Sequence, residues 1–297
     1  MWGTGVGLVP MDRAVVVISS GDPVAEAVSA AWGTLPAAAG HVDGAPLRRL
    51  TGSMLVLHRP VLHIHDEGLD RRLPSEVREL RPTLIFPSIH RSRENVRSLT
   101  VHPLGNLGPQ ADMGGRPSTL VPADPMGMAG ALRRLDELSP PLGIPVTYEA
   151  THHGPALELP AFFVEIGSGE HTAPAPEAAR LLAGVIPELV PSVGDRVALG
   201  VGGGHYVPHF TELALRRRWA FGHLVSRHAL ETLEPTTAVQ AYRLTPGAEG
   251  IVYSRAQDAN HPALEGLGPR LRDQDAPWRE RAGPSSPTVA ARSASGT

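Results

Sequence analysis

The sequence predicts an α/β protein, a three-layer α/β/α sandwich around a mostly parallel or mixed sheet. Three observations carry this expectation. Short apolar runs such as Ala14 to Ile18 and Ala161 to Ile166 read as strands buried on both faces. Between Ala161 to Ile166 and Arg196 to Val201, the residues Ala178, Leu181, Leu182, Val185 and Ile186 repeat with helical spacing. Polar motifs rich in histidine and glycine follow or close these runs, where open α/β sheets build their sites.

In chain order, residues 1–12 form a loose, glycine-containing start. Ala14 to Ile18 is the first strand, and Ser19 to Pro23 turns the chain into a helix over 24–32. Pro36 to Pro46 is expected to be a loop, because glycine and proline interrupt it repeatedly. Strands are expected over Met54 to His58, Val61 to His65, Leu84 to Phe86 and Ser98 to Val101, the last two ending near His90 and His102. Gly105 to Pro125, with Asn106, Gln110 and Asp112, is a long turn-rich insertion of the kind that carries function.

A helix over 126–138 packs one face on the sheet, its methionines serving as core filler. Ile144 to Ala150, Ala161 to Ile166 and Arg196 to Val201 are the strongest strands of the second half, and the strand-helix-strand order of the last two predicts a parallel pair. Thr211 is expected to cap a helix through Trp219, Phe221 to Leu230 to form another, and Val239 to Leu244 to be a late strand. One domain therefore spans 13–267, built as one unit or two closely packed α/β subdomains. From 268 to 297 arginine, proline and serine accumulate and predict a disordered tail.

Composition removes whole classes of chemistry. The chain of 297 residues has no cysteine, which excludes disulfides, thiolate zinc sites, cysteine-held iron-sulfur centres and a cysteine nucleophile. A formal charge of -3 argues against broad nucleic-acid coating, and no DNA partner is expected. Arg91, Arg93 and Arg97 lie close together and Arg216 to Arg218 form a second cluster; solvated surface is the ordinary reading of either, and Arg91 and Arg93 are the RNA-contact candidates. No run approaches the roughly 20 apolar residues of a membrane span, so the expectation is a cytoplasmic protein with no membrane partner.

The motifs concentrate reactive groups. His63 and His65 would share a strand face and could bind a metal together. His152 and His153 are adjacent, so only a turn such as the following Gly154-Pro155 lets both enter one centre. Glu165 points opposite to Val164 and Ile166, and a buried carboxylate there needs a histidine or metal companion. Gly202 to Gly204 precede His205, and their successive N–H groups could cradle an oxyanion or a phosphate. They match neither a P-loop nor a dinucleotide fingerprint. Ser168 lacks an assigned base, and its flanking glycines do not form the serine-hydrolase elbow.

Three ordered segments, 147–155, 163–170 and 201–210, resemble the hallmark segments of the archaeal and plant type of D-aminoacyl-tRNA deacylase. Supporting likeness lies in Ser88 to Ser92, Thr100 to Asn106 and Phe221 to Val225, and the whole spans about residues 14 to 265. The resemblance implies a fold related to phosphorylases and peptidyl-tRNA hydrolases. It also implies a zinc-associated hydrolase that frees tRNA from wrongly attached D-amino acids. His152, His153, Glu165, His205 and Tyr206 would then lie in or beside the pocket.

The expected reaction is hydrolysis of the ester at the acceptor end of D-aminoacyl-tRNA, by water activated through Zn2+ or a histidine. Catalytic candidates are His152, His153, Glu165 and His205, with His152, His153 and His205 as metal ligands. Gly202, Gly203, Gly204, Tyr206, His102 and Asn106 are candidates for oxyanion or substrate binding, and the protein is expected to be a monomer or small homo-oligomer. The alternatives are a zinc-dependent peptidase or amidase and a noncatalytic RNA-binding protein. The RNA-binding reading is weakened by an aromatic content of only 4%, which leaves little surface for base stacking.

Overall fold

A computed structural model describes residues 13–92, 96–169 and 174–271. The N-terminal segment 1–12, Arg93 and the tail from 272 lie outside the described residues. The strands are β1 (Ala14–Ser19), β2 (Ala37–Val42), β3 (Ala45–Arg49), β4 (Met54–Arg59), β5 (Thr83–Ser92), β6 (Leu99–Pro103) and β7 (Gly105–Asn106). They continue with β8 (Thr119–Leu120), β9 (Val146–Tyr148), β10 (Ala161–Gly169), β11 (Arg196–Val201), β12 (Trp219–Val225), β13 (Ile251–Tyr253) and β14 (Arg270–Leu271). The helices are α1 (Pro23–Trp32), α2 (Ser75–Arg78), α3 (Pro125–Leu138), α4 (Pro176–Val185), α5 (Pro208–Arg217), α6 (Arg227–Leu230) and α7 (Pro235–Arg243).

The fold is mixed α/β, with a large mixed sheet in the order β2-β3-β4-β1-β5-β10-β6-β9. Its centre, β4-β1-β5-β10, is parallel, while β6 runs antiparallel to β10. Helices α1, α3 and α4 cover one face through Val24, Val28, Leu132, Leu135 and Leu182, packed on Val16, Ile18, Phe162 and Val164. The other face carries Val15, Val17, Phe86 and Phe163 beneath Leu69, Leu73, Leu104 and Leu157.

A second, parallel sheet has the order β12-β11-β13-β14. The strand-helix-strand expectation fails here, because β10 and β11 belong to different sheets and α4 connects them instead of crossing over within one. The second sheet turns Ala198, Phe221 and Leu224 toward the shared helices and Leu199, Val201 and Val225 toward α7. Apolar runs of this kind are buried on either side, so their sequence does not say which sheet they join.

Other departures have local causes. The expected loop at 36–46 is the β2-β3 hairpin, closed by Asp43-Gly44 with φ of 50° and 82°, the positive values a two-residue hairpin turn needs. Val61 to His65 is no strand: residues 63–65 form a 3-10 turn, so His63 is buried and His65 exposed, and they share no face. Phe221 to Val225 is strand, not helix, and Val239 to Leu244 lies largely in α7, not in a strand. Thr211 sits inside α5, whose first residue is Pro208. All five longer helices begin at proline, whose missing N–H costs nothing in a first turn.

Candidate active site

Alternation along neighbouring strands assembles the first half of the site. On β10, Val164 and Ile166 enter the helix-covered core while Phe163 enters the opposite one, which puts Glu165 on Phe163's side. Glu165 is paired in register with Ser88, and Phe163 with His102. The face that is apolar at Phe86 and Phe163 thus becomes polar at Ser88, His90, His102 and Glu165. Oε2 of Glu165 lies 3.5 Å from His90 Nδ1 and 3.5 Å from His102 Nε2. Burial alone would raise the Glu165 pKa, but His102 and His90 outweigh it and hold the carboxylate well below its ordinary range. Burial likewise opposes protonation of both histidines, and the carboxylates Glu165 and Glu149 outweigh it and raise them.

The second half comes from the segment after β9. Glu149 is completely buried, and its Oε1 approaches His90 Nδ1 at 3.5 Å. Its Oε2 lies 3.6 Å from His152 Nε2 and 3.1 Å from His205 Nε2. His153 adopts a φ of +45°, a left-handed conformation that costs about 1 kcal/mol in a non-glycine residue. That turn does what a strand cannot: the adjacent rings of His152 and His153 come together, their centroids 4.4 Å apart and 4.1 and 5.0 Å from His102. Burial lowers both, His153 to about 4 and His152 well below its ordinary value, with neighbouring histidines adding to the effect.

Three ring nitrogens face backbone carbonyls. Nδ1 of His102 lies 3.1 Å from the Pro103 oxygen, that of His152 2.8 Å from Ala150, and that of His153 2.8 Å from Gly154. A carbonyl only accepts, so each Nδ1 carries the proton; Nε2 of His152 and His153 keeps its lone pair, the state of a metal-binding imidazole, and Nε2 of His102 reaches that state once a metal displaces the proton that Glu165 favours. Ligand atoms of His102, His152 and His153 lie within 4.8 Å of one another, as do those of His90, Glu149, His152 and His205. Both oxygens of Glu149, Oε2 of Glu165 and Nε2 of His102 are buried without a hydrogen-bond partner. A cation would satisfy this orphaned acceptor set, so the residues fit a metal.

Beside the cluster opens a cavity of about 490 Å³. His152, His153 and His205 line one side, with Asn106 and Gln110 on the 105–110 loop and Ser226 and Thr232 beyond. Tyr206 does not line the cavity; its ring lies 5.8 Å from His90 and 5.4 Å from His205. Asn106 gives its amide to the carbonyls of Gly114 and Arg116, which leaves it bracing the loop. Arg91 is exposed at the end of β5.

The cavity does not reach the glycine run. Gly202 donates its N–H to the Val225 carbonyl, and none of Gly202 to Gly204 lines the cavity. A side chain at Gly202 would meet Ser254 Oγ at 2.1 Å, so the missing Cβ permits close packing within the second sheet's loops. Sequence reasoning also omitted His90 and Glu149 from the site. Glu149 carried a signal, a lone carboxylate closing an apolar strand, like the one that marked Glu165.

An α/β fold that gathers histidines and two buried carboxylates beside an open cavity defines a centre for acid-base and metal-assisted chemistry built without cysteine. Residues 79–266 match the family model for D-aminoacyl-tRNA deacylase, and the chain belongs to that family. The D-aminoacyl-tRNA deacylase of Thermoplasma acidophilum is 42% identical over 173 residues, 58% of this chain and 67% of that protein. Its counterpart in Methanosphaerula palustris is 39% identical over 215 residues, 72% of this chain and 47% of that protein. The chain thus spans about half to two thirds of these curated relatives. A crystal structure of a conserved protein of unknown function superposes with a TM-score of 0.74 at 27% identity, covering 87% of this chain and 91% of that one. Among the described residues no helix is long and apolar enough to cross a membrane.

Proposed function

We propose that this chain hydrolyses the ester of D-aminoacyl-tRNA, releasing the D-amino acid and tRNA with a free acceptor end. Membership of the family supports the reaction, and the observation that carries the mechanism is the set of three imidazoles with carbonyl-bonded Nδ1 atoms beside two buried carboxylates. His102, His152 and His153 would hold zinc, which would supply Lewis-acid polarisation and a water of lowered pKa.

The remaining steps rest on the chain's own groups. Glu165 orients His102 and His90, and its burial keeps it from meeting a substrate ammonium. His205 stands at the mouth with its side chain 45% exposed and is braced by Glu149. In this reading it takes a proton from the attacking water and returns it to the departing ribose oxygen. The cavity admits the aminoacylated terminal nucleotide, and Arg91, exposed at the end of β5, is the candidate for phosphate contact. The enzyme works in the cytoplasm as a monomer or small homo-oligomer.

Deacylation of matched D- and L-aminoacyl-tRNA, with and without a chelator, tests the reading. Cleavage of the D-ester that is lost on chelation and restored by zinc is expected. Cleavage of a peptide or amide but of neither ester would transfer the site to the peptidase reading, and binding of tRNA without turnover to the noncatalytic one.

A further inference from the structure

The adjacent histidines converge only because their turn is held, and the holding group lies outside every motif described above. Glu67 Oε1 accepts the Gly115 N–H at 2.6 Å, and Oε2 accepts the Ala156 N–H at 2.8 Å. One carboxylate therefore clamps the long 105–120 loop to the chain just beyond His153. Around it the two segments lock. Gly105 donates to the His153 carbonyl at 2.7 Å and Gly154 to that of Met113 at 3.2 Å. Gly115 and Gly154 approach so closely that a Cβ on Gly154 would sit 2.1 Å from the Gly115 nitrogen.

We propose that Glu67 is a positioning residue for the metal-binding histidines, acting through the backbone of Gly115 and Ala156. This rests on the reading of His152 and His153 as ligands. A carboxylate accepts at both oxygens, whereas a glutamine amide accepts at one and presents donors at the other, facing a second N–H. Glu67→Gln thus keeps the shape and opens one side of the clamp. A matched control lies three residues on: Asp70 Oδ2 also accepts two backbone N–H groups, from Glu158 at 2.6 Å and Leu159 at 2.8 Å, but these lead into β10 and touch neither histidine.

Zinc affinity of the full chain, measured by competition with a chromophoric chelator, separates the roles, with the unfolding midpoint recorded alongside. E67Q is expected to bind zinc roughly 10- to 100-fold more weakly, while Asp70→Ala, which removes the single oxygen that accepts both N–H groups, loses thermal stability with its zinc affinity unchanged. Equal affinity in E67Q and wild type, or equal weakening in E67Q and D70A, overturns the proposal. Failure of the wild type itself to bind zinc overturns the ligand reading instead. If E67Q does not fold, Glu67→Asp, which keeps both acceptors on a shorter reach, is read by the same criteria.

Discussion

Nε2 of His205 lies 3.1 Å from Oε2 of Glu149, a contact that joins the loop after β11 in the second sheet to the segment after β9 in the first. A main-chain bridge between Glu149 and Tyr206 and a hydrogen bond from the Ala150 N–H to the His205 carbonyl at 2.8 Å run beside it. Glu149 is therefore the residue through which the two sheets share one site. Glu149→Gln is expected to lower deacylation at least about 100-fold. Near-normal turnover would contradict this role.

Acid should unfold the protein through histidines outside the metal cluster. Burial lowers His63 and His223 to about 4, against about 6.5 in the unfolded chain. Between those values the unfolded state binds more protons, so stability is complete above pH 6.5 and falls as the pH drops toward 4, by on the order of 3 kcal/mol for each group. Denaturant titrations across that range should show the slope, and His223→Gln should flatten it. A wild-type stability that does not change from pH 6.5 to 4 would be incompatible.

His90 and His102 behave in the opposite sense. Their raised values mean that the stability they contribute is present below pH 6.5 and is lost as the pH rises through their folded-state values. Zinc must displace such protons, so its apparent affinity should climb with pH above 6.5. Calorimetric titrations in buffers of different ionisation enthalpy should register proton release. An affinity independent of pH would remove His102 from the ligand set.

Ser168 is buried and lines no part of the cavity. Ser168→Ala is accordingly expected to keep kcat/KM within about 3-fold. Loss of 1000-fold or trapping of an acyl-enzyme by mass spectrometry would restore the serine route.

Gly202 tests the reassigned glycine run. Its φ of +110° and the closeness of Ser254 and Asp258 predict that Gly202→Ala destabilises folding by at least about 2 kcal/mol. Fully folded protein should retain its ester hydrolysis, measured per folded molecule. An inactive but equally stable variant would return these glycines to the oxyanion role.

Much of this was legible from local rules. Asp43-Gly44 announced a hairpin, the prolines at 208 and 235 announced helix starts, and alternation around Glu165 placed its carboxylate opposite Val164 and Ile166. Nearby prolines and apolar runs compete with the first two signals, although the backbone geometry they require is what the structure contains.

The sequence by itself determined the α/β class, the family, and histidine and carboxylate chemistry in place of cysteine, because residue type and short-range periodicity are local properties. Only the tertiary structure decided that β10 and β11 part into separate sheets, that His90 and Glu149 join the cluster, and that Gly202 packs inward. These outcomes depend on which distant strands pair and which backbone groups find partners across the chain. Apolar strands buried on both faces fit either sheet equally well, so no local pattern could distinguish them.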